Sequence, residues 1–113
     1  MHEMSLAESV REIVLDTARA NQAERVRTVR LEIGALSQVE PEAMRFAWDV
    51  VMQDGAAQGA QLLIVITPGQ AWCMQCSASV PVAQRGDACP RCGSHQLQVT
   101  GGDRMRVMDI EID

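Results

Sequence analysis

The spacing of hydrophobic residues changes several times along the chain and predicts alternating helices and strands. Apolar residues recur every three or four positions between residues 6 and 17, which is typical of an amphipathic helix. Ser5 precedes this segment and Glu8 follows three positions later, in the order of a capping box. The pattern therefore predicts a first helix that starts after Ser5 and ends near Asn21.

A second helix is predicted after residue 40. Pro41 is suited to the first helical position, and Glu40 and Glu42 place carboxylates near the positive end of the helix dipole. Apolar residues at helical spacing then follow between residues 44 and 51, and Gly55 ends the segment.

Three segments predict strands. Residues 27–33 and 106–112 alternate between apolar and polar side chains, which is typical of half-buried strands. Residues 62–66 are apolar on both faces, which favours a central strand covered by helices on at least one side. The last segment cannot bury its apolar face alone, so we expect it to return to the sheet formed by the first.

All four cysteines lie in the segment between the last two of these strands. They form two C-x-x-C pairs, Cys73 with Cys76 and Cys89 with Cys92, a spacing typical of a four-thiolate zinc site. Four protein ligands leave no open coordination position, so such a zinc ion is structural. Two disulfides or a redox dithiol are the alternatives. The N-terminus lacks a basic segment followed by an apolar run, which favours a reducing, cytoplasmic compartment where disulfides are rare.

Together these elements predict an α+β fold. Two helices pack on a three-stranded sheet, and a four-cysteine zinc ribbon is inserted before the last strand. We expect residues 1–69 plus 103–113 to form the α+β domain and residues 70–102 to form the zinc-binding ribbon domain. Short strands at 79–82 and 96–99 are candidates within the ribbon.

Composition and charge exclude several classes of function. The formal net charge is −5, which disfavours a nucleic-acid-binding ribbon because such ribbons carry basic patches for phosphate. No apolar run approaches the roughly 20 residues of a membrane span. The sequence shows neither a nucleophile–base pair nor a Gly-rich phosphate loop, so we predict that the protein is not an enzyme.

The N-terminus carries a second candidate metal site. The α-amine of Met1, together with the backbone nitrogen and imidazole of His2, can chelate one metal through adjacent rings, and Glu3 offers a further amide or carboxylate. Nitrogen-rich planar sites select Ni²⁺ or Cu²⁺ over Zn²⁺. The alternative is a frayed terminus with a solvated histidine.

Four motifs occur together along the chain, and they are Met1-His2-Glu3, Glu32-Ile33-Gly34, Val39-Glu40-Pro41-Glu42 leading to Phe46, and the paired C-x-x-C motifs. With these motifs the chain resembles, over its whole length, the HypA/HybF family of nickel metallochaperones for [NiFe]-hydrogenase maturation.

This resemblance implies a nickel-binding domain built around the N-terminus and a separate structural zinc domain. His2 is then the principal Ni(II) ligand, Met1 and Glu3 supply backbone nitrogens or a carboxylate, and the four cysteines hold Zn(II). It also implies two partners, a HypB-type GTPase and the precursor of the hydrogenase large subunit. The protein is expected to be a monomer or homodimer.

Two further residues are weaker candidates. The resemblance implies a role for Glu40 beside nickel, because some relatives have an acidic residue near this point that approaches the nickel site, although a carboxylate at a helix start explains Glu40 equally well. His95 lies three residues after Cys92 and is a candidate outer partner of zinc or alternative ligand, or else a solvated ribbon residue. The competing function is a zinc-ribbon module for protein or nucleic-acid interaction without nickel.

Overall fold

A computed structural model describes residues 2–113 of the chain. Two helices and six strands follow one another in the order α1 (Glu3–Ala20), β1 (Val26–Gly34), α2 (Pro41–Val51), β2 (Gln61–Thr67), β3 (Gly69–Cys73), β4 (Ala78–Val82), β5 (Leu97–Gly101) and β6 (Met105–Ile112). A single 3-10 turn, Gly55–Ala57, lies between α2 and β2. The α+β class is therefore as predicted.

The chain divides into two compact units. The first, which we call the helical unit, contains residues 2–31, Val39–Val65 and Arg106–Asp113. The second, which we call the cysteine unit, contains Glu32–Gln38 and Ile66–Met105.

In the helical unit, α1 and α2 pack against each other through the apolar stripes that the sequence indicates. The buried residues of these stripes are Ala7, Val10, Val14 and Ala18 of α1 and Met44, Ala47 and Trp48 of α2. The indole N–H of Trp48 donates a hydrogen bond to the carbonyl oxygen of Ala60 at 3.0 Å, which satisfies the one polar atom of this side chain. As predicted, α2 begins at Pro41.

The start of α1 differs from the prediction. The helix begins at Glu3 rather than after Ser5, and the carbonyl oxygen of His2 accepts the first helical hydrogen bond, from Leu6 N–H at 3.0 Å. Ser5 therefore lies within the first turn, where its carbonyl accepts from the Ser9 hydroxyl. The capping-box pattern predicts a local start, whereas the Glu3 carboxylate accepts a hydrogen bond from Glu40 N–H, a contact distant in sequence that holds Glu3 in the first turn.

The first sheet has the strand order β2-β1-β6, so the last strand returns to it as predicted. The prediction that residues 62–66 form the central strand is wrong: β1 is central and β2 lies at an edge. The burial of side chains agrees with this order. Val29 and Leu31 of β1 are completely buried, whereas Leu63 and Val65 of β2 are 41% and 37% exposed. Apolar residues on both faces of β2 therefore do not reflect a central position.

The cysteine unit contains an antiparallel sheet with the order β4-β3-β5. Strands β4 and β5 match the two candidates from the sequence, while the central strand β3 was not predicted. Ala71 of β3 lies opposite Val80 of β4 and Val99 of β5. The buried core of this unit consists of Leu36, Ala71, Cys73, Val80, Val82 and Cys89. Two cysteines thus belong both to the core and to the candidate metal site.

Two glycines allow a close backbone approach within the cysteine unit. Leu36 N–H donates to the Gly102 carbonyl oxygen at 2.7 Å, and Gly34 N–H donates to the Arg104 carbonyl oxygen at 2.8 Å. A Cβ atom on Gly34 would lie 2.3 Å from the Gly102 backbone, so no larger residue fits there. Gly102 has φ +74°, in the left-handed region that favours glycine.

Candidate metal centre

The four cysteines converge on one point of the cysteine unit. The sulfur atoms of Cys73, Cys76, Cys89 and Cys92 all lie within 4.8 Å of one another. Cys73 ends strand β3, Cys76 follows one turn later, and the second pair comes from the loop between β4 and β5. The sheet therefore brings together two pairs that are well separated in sequence.

The spacing of the sulfur atoms fits a tetrahedral zinc ion. A Zn–S distance of about 2.3 Å in a tetrahedron implies S···S distances of about 3.8 Å. The Cys73 and Cys92 sulfurs are 3.7 Å apart, and the Cys76 and Cys89 sulfurs are 3.9 Å apart. All four cysteines are free, and these separations are far longer than the about 2.05 Å of a disulfide. The donor set and its geometry are those of a structural zinc site.

Backbone N–H groups of both C-x-x-C turns point at sulfur atoms. Cys76 N–H donates to Cys73 Sγ at 3.4 Å, and Arg91 N–H donates to Cys89 Sγ at 3.4 Å. Each turn ends in the left-handed region, at Ser77 (φ +50°) and Gly93 (φ +77°). Both turns therefore place amide donors at sulfur, which stabilises negative charge there.

The thiols influence one another's ionisation. Burial opposes ionisation of Cys89, but N–H groups of Cys92 and Arg91 donate to its sulfur, and together with neighbouring thiols they lower its pKa to about 6. The pKa of Cys76 is raised to about 12, chiefly by its hydrogen bond to Cys92 and then by burial and its other cysteine neighbours. The lowered pKa of Cys89 favours its thiolate, whereas hydrogen bonding and burial favour the protonated Cys76 thiol unless a cation is bound beside it. A bound dication supplies that charge, which agrees with the geometric fit.

At the N-terminus, His2 and Glu3 have different environments. His2 is exposed and occupies the N-cap position of α1, but its side chain makes no capping hydrogen bond. Glu3 is buried, and its carboxylate accepts a hydrogen bond from the backbone N–H of Glu40 at 3.1 Å. This hydrogen bond is the main reason that the pKa of Glu3 lies below its ordinary value. Met1 lies outside the described residues.

Glu40 connects this region to α2. It is the N-cap of the helix, and its carboxylate accepts from Glu42 N–H at 3.3 Å while its own N–H donates to Glu3. The first turn of α1 is thereby tied to the start of α2. This link cannot be predicted from the sequence, because an acidic residue near a terminus gives no indication of which distant backbone group it will contact.

His95 is exposed and is not part of the sulfur cluster. Its carbonyl oxygen accepts from Leu97 N–H at 2.9 Å, at the start of β5. A role of His95 beside zinc, like a role of Glu40 beside nickel, stays a prediction.

Comparison with known proteins identifies the family. The family model described as "Hydrogenase/urease nickel incorporation, metallochaperone, hypA" matches residues 1–112. The hydrogenase maturation factor HypA of Dechloromonas aromatica (strain RCB) is 57% identical over 113 residues, which cover all of both chains. The HypA of Azoarcus sp. (strain BH72) is 57% identical over 112 residues, which cover 99% of this chain and 98% of the relative.

Solved structures show the same fold. A solution structure of a HypA protein has 27% sequence identity and a TM-score of 0.72, and the match covers 99% of this chain and 96% of the other. The solution structure of the Ni metallochaperone HypA from Helicobacter pylori has 24% identity and a TM-score of 0.70, and the match covers 99% and 97% of the two chains. In residues 2–113, no helix has the length and apolar character needed to cross a membrane. The family model and the relatives of 57% identity show that the chain belongs to the HypA family of nickel-incorporation metallochaperones.

Proposed function

We propose that this protein binds one Ni²⁺ ion at its N-terminus and delivers it for the maturation of [NiFe]-hydrogenase. The observation that carries the proposal is the contrast between His2 and Glu3. The imidazole of His2 is exposed and not engaged in capping, whereas Glu3 is buried and hydrogen-bonded to the start of α2. A free ligand next to an anchored residue is suited to a site that must capture and then release a metal.

The ligand set that we propose is centred on His2. Its imidazole is the principal ligand, and the α-amine of Met1 and backbone nitrogens of the first residues complete a nitrogen-rich set that favours Ni²⁺. Glu3 and His2 lie at the N-terminal end of α1. Since the Glu3 carboxylate accepts from Glu40, we assign its backbone nitrogen to the metal and its side chain to positioning.

The zinc site has a different role in this proposal. Cys73, Cys76, Cys89 and Cys92 would hold the ion, and a zinc ion bound by four thiolates supplies structural cross-linking rather than catalysis. Two of these cysteines, Cys73 and Cys89, are buried in the core of their unit, so the ligands also contribute to packing. The protein is therefore proposed to transfer metal without catalysing a reaction.

The proposed setting is the cytoplasm, with a HypB-type GTPase and the hydrogenase large-subunit precursor as partners. Curated relatives that match the full chain are named hydrogenase maturation factors, which supports an assignment to that pathway. The sequence contains no Gly-rich phosphate-binding motif, so nucleotide hydrolysis is assigned to the partner.

A titration of the untagged, zinc-loaded protein with Ni²⁺ tests the proposal. The native chain should bind one equivalent, with heat release and a visible absorption band, and His2→Ala should lose this binding. His95→Ala is the matched control, because it removes the other of the two histidines and should leave nickel binding unchanged. Equal binding by the native protein and His2→Ala, or by neither, would exclude the N-terminal site. Loss only in His95→Ala would place nickel in the cysteine unit.

A further inference from the structure

The cysteine unit contains a small cavity of about 240 Å³ that has a mixed lining. The apolar part of the lining comes from the three strands of the sheet, and its residues are Ala71, Val82, Leu97 and Val99. The polar part comes from the loop between β4 and β5, and its residues are Arg85, Gly86, Asp87 and His95. An apolar cavity with a few polar groups is the usual composition of a ligand site.

The size of the cavity limits the ligand that it can hold. Sites for drug-sized molecules and cofactors usually enclose about 300–1,000 Å³, so this cavity is too small for a nucleotide or a comparable cofactor. It suits a single amino-acid residue or a group of similar size. All of its lining residues belong to the cysteine unit, so the site is complete within that unit.

Arg85 brings a positive charge to the cavity that no acidic side chain offsets. Its Nε–H donates to the carbonyl oxygen of Leu36 at 3.1 Å, which restrains the plane of the guanidinium group. Within residues 2–113, the terminal N–H groups of Arg85 have neither a hydrogen-bond acceptor nor an ion-pair partner, whereas Arg11 and Arg30 each pair with an aspartate. A guanidinium that is already oriented and has free N–H groups is suited to bind a carboxylate through two hydrogen bonds.

The turn that carries Arg85 is held by hydrogen bonds between its two ends. Gln84 N–H donates to the carboxylate of Asp87 at 3.1 Å, and Asp87 N–H donates to the carbonyl oxygen of Gln84 at 3.2 Å. The carboxylate of Asp87 is therefore engaged with the backbone of its own turn and does not neutralise Arg85. The imidazole of His95 adds a second hydrogen-bond donor to the lining, because at least one ring nitrogen carries a proton in either charge state.

The combination of a cation, a second donor and an apolar wall identifies the chemistry of the ligand. Arg85 and His95 favour a carboxylate, and the four apolar residues favour an apolar side chain beside it. The last residue of a polypeptide presents both groups on one carbon atom, whereas an aspartate or glutamate side chain presents the carboxylate without an apolar branch. Capture of a chain terminus is a known mode of peptide recognition. We propose that this cavity binds the C-terminal carboxylate of a partner polypeptide that ends in an apolar residue.

Titration of the zinc-loaded, nickel-free protein with short peptides tests this inference without any variant. The probe is N-acetylated Ala-Ala-Leu with a free C-terminal carboxylate, and NMR of the backbone amides follows its binding. The signals that should shift and saturate, with a Kd of about 1 mM or below, are those of Arg85, Gly86, His95 and Leu97. The signals of α1 should stay in place. The same peptide with a C-terminal amide lacks the carboxylate and should not bind.

Substitutions of arginine locate the site. Arg85→Gln removes the charge and should weaken binding of the free-acid peptide by about 10- to 100-fold, the usual effect of losing hydrogen bonds to a charged group. Arg85→Lys keeps the charge without the paired N–H groups and should recover only part of the affinity. Arg104→Gln is the matched control, because it removes the same charge from an exposed arginine of the same unit that does not line the cavity, and it should bind as the native protein does. Circular dichroism and zinc content should be the same in all four proteins.

Three results would overturn the inference. The first is the absence of saturable shifts around the cavity with the free-acid peptide, and the second is equal binding by the native protein and Arg85→Gln. The third is equal or tighter binding of N-acetylated Ala-Glu-Ala amide, which would assign the cavity to an acidic side chain instead of a chain terminus. All of these measurements are made without nickel, so they leave the proposed metallochaperone function untouched.

Discussion

At the scale of single residues, the contacts of Glu3 help to distinguish two roles that a carboxylate beside a metal can have. It can bind the metal, or it can position the residues that do. The hydrogen bond from Glu40 N–H to the Glu3 carboxylate favours positioning. Because the pKa of Glu3 is lowered in the folded protein, this bond is complete above the ordinary value of 4.5 and is lost only as the pH falls through the lower folded value. At neutral pH the bond is fully formed.

We predict that Glu3→Gln and Glu3→Ala differ in nickel affinity at neutral pH. Glutamine keeps an oxygen that accepts from Glu40 N–H and should bind Ni²⁺ nearly as well as the native protein. Alanine removes the acceptor and should weaken binding by about 10- to 100-fold, the usual cost of losing an outer partner of a metal site. Isothermal titration with Ni²⁺ measures both. An equal, large loss in the two variants would show that the carboxylate itself is a ligand.

Gly102 gives a second prediction at this scale. A Cβ atom there would lie 2.3 Å from the Pro68 carbonyl oxygen, at φ +74°. Gly59 has nearly the same φ, +76°, but nothing within 4 Å of the added atom. Gly59→Ala should therefore lower the free energy of unfolding by the about 1–2 kcal/mol typical of left-handed backbone. Gly102→Ala should lower it by a further 1–3 kcal/mol, roughly the cost of overpacking.

Urea unfolding of the zinc-loaded proteins measures the free energy of unfolding of Gly59→Ala and Gly102→Ala. Gly59 lies in the helical unit and Gly102 in the cysteine unit, so each loss is measured on the unfolding transition of its own unit. The difference between the two losses gives the steric contact, because the conformational cost is shared. Equal stability of the two variants would mean that the backbone at Gly102 moves aside without cost.

At the scale of elements, zinc binding by the two C-x-x-C turns should depend on their cysteines and not on His95. Cys76→Ser removes a ligand whose sulfur lies 3.9 Å from that of Cys89, and zinc affinity should fall by more than about 100-fold, beyond the effect of an outer partner. His95→Ala should keep one zinc ion per chain with unchanged affinity. Competition with a chromophoric chelator measures both values. A large loss in His95→Ala would instead identify the imidazole as part of the zinc site.

The sequence predicted helices, strands and the cysteine cluster correctly where the signal is local. Pro41 marks the start of α2, the alternation in residues 27–33 marks β1, and the cysteine spacing indicates the cluster. The errors arose where distant contacts decide the outcome. Glu3, in the first turn of α1, accepts a hydrogen bond from distant Glu40, and the apolar residues of β2 suggested a central strand although it lies at an edge. Strand β3 was missed because its residues are few and merge into the first cysteine turn.

At the scale of the whole molecule, the two units have different sources of stability. The helical unit contains both helices and buries their apolar stripes. The cysteine unit has a core of six buried residues, two of which are cysteines. A core of this size rarely folds without cross-links or a metal, and structural zinc contributes an apparent 10–16 kcal/mol in small peptides, roughly the whole stability of a domain.

Each unit contains one tryptophan, which allows the response to zinc removal to be followed separately. Trp48 is buried in the helical unit, and Trp72 is 40% exposed on β3 of the cysteine unit. We predict that a strong chelator changes the emission of Trp72, observed in Trp48→Phe, and leaves that of Trp48, observed in Trp72→Phe, unchanged. The helical circular dichroism should persist, since α1 and α2 lie outside the cysteine unit. If the helical signal instead fell in step with zinc release, the two units would fold as one. The predicted division of the chain, with a separate zinc-binding domain at residues 70–102, would then be wrong.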